Sequence, residues 1–156
     1  MTSDSPDLER FVRAQDESGT YAAALSELRA GRKRGHWIWF VLPQLAGLGH
    51  SEMSRRYAVS GLPEARAYLR HPVLGPRLHE CAEALLSLGT SDPVEVLGSI
   101  DATKVRSSMT LFERAAGDQA EAAVFARVLD RFYGGRRDDT TIGALGELGA
   151  AGELGS

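Results

Sequence analysis

The sequence predicts an all-α fold, a compact multihelical domain of about seven or eight short helices with one long ordered aromatic connection. Three observations predict it. Apolar residues recur at helical spacing, most clearly as Leu74, Leu78, Cys81, Leu85 and Leu88, which follow i, i+4, i+7, i+11 and i+14. Capping residues, prolines and glycines divide the chain into segments of helix length. Nothing reads as a strand ladder, and no βαβ alternation is present.

Taken in order, Ser5-Pro6 reads as a helix start, serine as N-cap and proline at the first helical position, with Leu8, Phe11 and Val12 on one face. Gly19-Thr20 breaks and restarts the chain. Thr20 can cap a second helix carrying Tyr21, Ala24, Leu25 and Leu28, and Gly31 stops it. Residues 31–50 differ. Gly31, Gly35, Gly47 and Gly49 bracket an aromatic run and Pro43, and neither helical nor strand periodicity holds. This is the ordered connection, with room for one short extended piece, and such long structured connections are often functional.

Ser51 can cap a short helix through Tyr57. Leu62-Pro63-Glu64 opens another, with Ala65 and Leu69 inward, and His71-Pro72 closes it. The Leu74–Leu88 stripe forms the next, ended by Gly89. Asp92-Pro93 starts a short helix to about Gly98. Asp101 caps or opens a helix with Val105, Met109 and Phe112 inward, stopped by Gly117. Residues 119–133 follow, with Val124, Val128, Leu129 and Phe132 inward, ended by Gly134-Gly135. Asp139 can cap a last helix over 140–147. The glycine-rich ending, GELGAAGELGS, is expected to fray, which places the domain at 1–147 and a tail at 148–156.

Composition narrows function by exclusion. Apolar residues are 43% and charged residues 25% of the chain, an ordinary globular balance. A net charge of −3 gives no global attraction to nucleic acid or anionic membranes. Trp37 to Leu42 is the longest strongly apolar run, far short of the ~20 residues of a spanning helix. The acidic start lacks a signal-peptide core, and one cysteine allows no internal disulfide, so a cytoplasmic protein is expected. Phosphate loops, zinc-protease signatures and nucleophile elbows are missing, and no cofactor is implied. His36, His50, His71 and His79 lack zinc spacing, so no metal site is expected. Cys81 lies on an apolar stripe and reads as a buried structural thiol. His79, one turn before Glu83, reads as half of a surface pair.

Three clusters could carry chemistry. His36, Trp37, Trp39, Phe40 and Gln44 could stack on a flat ring and read its edge, or the tryptophans could plug the core. Ser51, Ser54 and Tyr57 recur every three residues, a hydroxyl face suited to sugar or phosphate, with Arg55 and Arg56 as anion contacts, or else a capped surface helix. Asp101, Lys104 and Ser108 form a polar line beside an apolar stripe. Asp101 could orient water and Lys104 bind an anionic group, or the two could form a surface ion pair. The basic triplet Arg32-Lys33-Arg34 beside the aromatics also permits stacking on single-stranded bases, although the net charge opposes it.

The stretches GHWIWFVLPQLAGLGHSEMSRRYA, EARAYLRHPVLGPRLHE and DATKVRSSMTLF resemble a bacterial family catalogued as domain of unknown function 1810, over about Asp7 to Leu145. Its members are described as mainly α-helical, and the resemblance supplies no activity. The chain is more distantly similar to the NADAR group, helical proteins linked to NAD and ADP-ribose metabolism and to N-glycosidic bond cleavage. The similarity rests on Ser54 to Tyr57, Asp101 to Lys104, and Asp130-Arg131-Phe132-Tyr133-Gly134, with Ser54 standing where that group has a glutamate and Glu52 out of register.

These readings combine into an expected pocket for a nucleotide or ADP-ribose-like ligand, with N-glycosidic hydrolysis as its catalytic form. Asp101 and Lys104 are then the catalytic candidates. His36, Trp37, Trp39, Gln44, Ser51, Ser54, Tyr57 and Ser108 are the binding candidates. The alternative is a non-catalytic module for a protein partner or single-stranded nucleic acid. Neither a membrane partner nor a particular oligomeric state is expected.

Overall fold

The computed structural model describes residues 7–146. Nine α-helices lie among them: α1 Glu9–Asp16, α2 Thr20–Ala30, α3 Ile38–Val41, α4 Glu52–Arg56, α5 Leu62–Arg70, α6 Leu74–Leu86, α7 Pro93–Leu97, α8 Ser99–Ala115 and α9 Gln119–Tyr133. A 3-10 turn, Glu17–Gly19, joins α1 to α2, and residues 139–146 add a last helical stretch. Extended pairing among the described residues amounts to one parallel bridge between Leu45 and Val59. The fold is all-α, as the periodicity predicts. The helix count exceeds seven or eight because a single turn, α3, forms inside the aromatic connection. The predicted Ser5-Pro6 start and the tail over 148–156 lie outside the described residues.

Most punctuation falls where the sequence places it. Ser51 Oγ accepts from Ser54 N, and Asp92 Oδ1 accepts from Val94 N and Glu95 N. Asp118 accepts from Glu121 N while Glu121 accepts from Gly117 N, a reciprocal cap. Four details differ. Thr20 is already helical, and its hydroxyl donates back to Glu17 O, leaving Gly19 as N-cap. α6 ends at Leu86, short of Leu88 and Gly89, because Arg131 donates to the free carbonyls of Leu86 and Leu88. α8 starts at Ser99, so Asp101 lies within its first turn and does not cap it. Asp138, not Asp139, caps the last stretch, Oδ2 accepting from Thr141 N and Oγ1.

α8 is the axis of the packing, lying against α5, α7 and α9, while α6 packs on α2, α5 and α9. A line of rings runs through this core. Phe11 meets Tyr68 at 5.1 Å, Tyr68 meets Phe112 at 5.1 Å, and Phe112 meets Phe125 at 6.2 Å between centroids. Each such pair adds about 0.5–1.5 kcal/mol beyond its buried area. Buried Gln15 ties the same region together. Its Nε2 donates to Phe40 O (2.7 Å) and to Tyr68 Oη (3.2 Å), and its Oε1 accepts from Arg77 Nη1 (3.1 Å). Cys81 is wholly buried on α6, and burial pushes its thiol up to about 12, which keeps it protonated and inert.

Two glycines are required by geometry. Gly98 ends α7 and starts α8 at φ +84°, a conformation that lets two helices meet with no loop between them. Gly75 allows α6 to approach the end of α5, where an added Cβ would sit 2.2 Å from Leu69 O. The obstructing atom is backbone and cannot rotate away. Gly75→Ala is therefore expected to destabilise the protein by about 2 kcal/mol or more, within the range for forced backbone shifts. Urea unfolding measures it, and an unchanged midpoint would contradict this packing.

Candidate functional site

The aromatic connection is held by one carboxylate. Glu27, on α2, accepts three hydrogen bonds at Oε1, from Arg34 N (2.8 Å), Gly35 N (2.9 Å) and Trp37 Nε1 (2.9 Å). Trp37 is 2% exposed, its indole N–H committed and its ring packed in the core. Lys33 turns inward, its Nζ 4.9 Å from the centre of the Trp37 ring and 2.7 Å from Asp101 Oδ2. Trp37 is therefore the core plug, while Trp39, two residues on within α3, is only partly buried.

The predicted acid–base pair is part of a charge cluster. Asp101 faces Lys33 at 2.7 Å and Lys104 at 3.8 Å, and Lys104 Nζ lies 5.3 Å from the Trp39 ring centre. With Lys33 only 7% exposed at its side chain, Asp101 is first of all the counter-ion of a buried ammonium. Asp101 thus stands between two ammoniums, the closer of which, Lys33, also lies in the field of Glu27, and Lys104 is the looser partner.

Lys104 lines a polar cleft of about 290 Å³ with Gln44, Leu48, Gly49, Thr103, Arg106, Ser107, Asp138 and Thr140. Arg106 is fixed by Arg136 O on its Nε (3.0 Å) and Arg137 O on its Nη2 (2.9 Å), and its Nη1 has no partner among the described residues. Asp138 Oδ2 accepts from Ser107 Oγ (3.0 Å) and from Thr141, and its Oδ1 has no partner among the described residues. The cleft therefore offers two cations, one half-used carboxylate, hydroxyls and an amide. A larger, mainly apolar groove of about 550 Å³ lies along α6, but there Glu80 is held by Tyr21 and Glu83 by Arg127. His79 of that groove packs on Phe125, and it is Arg127 that takes Glu83 as its ion partner.

Of the predicted site residues, Gln44 and Lys104 meet in the cleft, with Asp101 and Trp39 behind Lys104. The others do not converge there. His36 is exposed. Ser51 caps α4 by accepting from Ser54 N, and the two hydroxyls bond one another at 2.9 Å. Tyr57 is buried against Phe11 and Phe40, so the three-residue spacing does not make a common hydroxyl face. Ser108 is fully buried with its hydroxyl unpartnered, which removes it from any ligand contact. Arg106, Ser107, Thr103, Asp138 and Thr140 were not predicted. Thr103, Lys104, Arg106 and Ser107 cover one broad face of α8, a readable signal, but Asp138 reaches that face from 31 residues beyond Ser107.

The stretch Asp130–Gly134 has structural duties. Asp130 pairs with Arg137, Arg131 closes the end of α6, Tyr133 Oη donates to Ala102 O at 2.7 Å, and Gly134 is the C-cap of α9. Among the described residues, no group of three or more His, Cys, Asp or Glu could hold a metal ion, and no helix is long and apolar enough to cross a membrane.

A family model described as Protein of unknown function (DUF1810) matches residues 5–145. The fold is similar to the crystal structure of the conserved hypothetical protein Rv1873 from Mycobacterium tuberculosis, with a TM-score of 0.84 and 48% sequence identity. The match covers 90% of this chain and 96% of that one. No curated protein matches.

Two measurements check this geometry. Burial pushes the Glu27 carboxyl up, but its hydrogen bonds from Gly35, Arg34 and Trp37 and the charge of Lys33 outweigh it, and the group sits below its ordinary value of 4.5. A carboxyl held lower in the folded than in the unfolded chain adds stability above its unfolded pKa and loses it as pH falls through the folded value. The stability gap between the wild type and Glu27→Gln should therefore narrow on acidification below pH 4.5, as read from urea midpoints. In Trp39→Phe, the remaining Trp37 should resist acrylamide quenching in the native state, and ready quenching would refute its burial.

Proposed function

The chain belongs to the DUF1810 family, and from the cleft on α8 we propose that it is a small-molecule-binding protein whose ligand carries an anionic group of the kind found in a nucleotide or ADP-ribose. One observation carries the reading: Lys104 and Arg106, whose Nη1 has no partner among the described residues, line the same cleft beside Gln44 and Thr140. The volume, at the lower edge of the usual ~300–1,000 Å³ for ligand sites, suits one phosphoryl-bearing part of such a ligand. N-glycosidic hydrolysis, the finer expectation from the NADAR similarity, needs a carboxylate poised on the sugar. Asp101 is instead matched to Lys33, and Ser54 occupies the glutamate position.

A partner-docking role has one observation in its favour. Val94 and Ile100 are 51% and 71% exposed at the α7–α8 corner. Single-stranded nucleic acid has less, since Trp37 is sealed and Lys33 turns inward, so the basic triplet offers neither a stacking platform nor a continuous charge.

Calorimetric titration with AMP, ADP-ribose and adenosine tests the reading. AMP and ADP-ribose should bind and adenosine should not. Lys104→Ala should weaken binding about tenfold or more, since charge-assisted hydrogen bonds contribute about 1.5–3 kcal/mol. Binding of adenosine as strong as that of AMP, or affinity unchanged in the variant, would overturn it.

A further inference from the structure

We infer that the group recognised in the cleft is a phosphorylated polyol, a sugar monophosphate or its like, with both the phosphate and the neighbouring hydroxyls read and no base enclosed. The inference rests on the binding role proposed above and specifies its ligand class.

Three features of the lining carry it. The first is charge. Lys104 and Arg106 line the cleft beside one carboxylate, Asp138, with Asp101 3.8 Å from Lys104 behind it, so cation and anion stand side by side. A bare dianion would be attracted by two groups and repelled by the third. A ligand with an anion at one end and hydroxyl donors at the other satisfies all three, because Asp138 Oδ1 has no partner among the described residues and can only accept.

The second is the inventory of neutral groups. Gln44 supplies donors and an acceptor, exposed Thr140 supplies a hydroxyl that works in either direction, and exposed Thr103 supplies a hydroxyl oxygen that accepts. Thr103 Oγ1 donates to Ile100 O and keeps its lone pairs for a ligand donor. Such two-way groups match the alternating donors and acceptors of a polyol. The third is what the lining lacks. No aromatic ring lies among the cleft residues, and Leu48 is its one large apolar side chain. Trp37 and Tyr57, which could have stacked on a base, are 2% and 6% exposed and face the core. A base attached to the ligand would extend beyond the cleft and add little to affinity.

Asp138 sets the specificity here and is no catalytic residue. Ser107 and Thr141 fix one of its oxygens, so the other is aimed with little freedom left.

The test is a set of calorimetric titrations of the full chain with ribose 5-phosphate, glycerol 3-phosphate, inorganic phosphate, ribose and AMP. Both phosphorylated polyols should bind at least about tenfold more tightly than inorganic phosphate, and AMP should match ribose 5-phosphate within about threefold. Free ribose should show no binding. In Asp138→Asn, which keeps a good helix cap, the preference for phosphorylated polyols over phosphate should shrink, mainly because phosphate binds better. If inorganic phosphate equals the phosphorylated polyols in the wild type, this inference fails while the anion-binding role stands. AMP binding far more tightly than ribose 5-phosphate also overturns it, since a base would then be read. If no phosphate-bearing compound binds, both readings fall. The wild-type affinities decide without any variant, so a poorly folded Asp138→Asn leaves the answer intact.

Discussion

A single carboxylate oxygen organises the least regular stretch of this protein. Residues 31–50 contain one helical turn and one bridge, too little backbone pairing to hold their shape. Glu27 Oε1 gathers two backbone N–H groups and the Trp37 indole, and this fixes where the connection leaves α2. Once Trp37 is seated, Lys33 has one favourable direction, over the ring and onto Asp101 at the start of α8. From there Asp101 sits between Lys33 and Lys104, and Lys104 reaches the cleft. The distance from Glu27 to the cleft is bridged by the Trp37 ring and the ion pairs of Asp101.

The elements with regular spacing were legible in the sequence. The Leu74–Leu85 stripe, the Val105, Met109 and Phe112 face, and the caps at Ser51 and Asp92 depend on neighbours within a few residues, and local physics fixes them. The misplacements were small and had remote causes. Arg131 shortens α6 from 43 residues away, a contact no local pattern announces. The one-turn α3 was hidden because four residues cannot display a period.

The site was less legible for the same reason. Lys104 and Gln44 meet in the cleft, yet nothing in their spacing forces this. Asp101 invites an acid–base role because Lys104 sits one helical turn on, and that i,i+3 pair does exist at 3.8 Å. Its closer partner, Lys33, comes from a loop 68 positions earlier and changes its meaning from acid to counter-ion. Ser108 shows the converse error. It shares a line with Asp101 and Lys104 on paper, but the helix turns it into the core, where its hydroxyl stays unpaired at a cost of about 1–3 kcal/mol.

α8 packs the core through Ala102, Val105, Met109 and Phe112 and presents Thr103, Lys104, Arg106 and Ser107 to the cleft. The 3.6-residue period keeps these two sets on separate sides of one rigid rod. Substitution on the cleft side can therefore change the lining while the core contacts of the inner side stay in place. One rod thus serves as wall and as beam, and its two faces can be altered separately while the architecture stays constant.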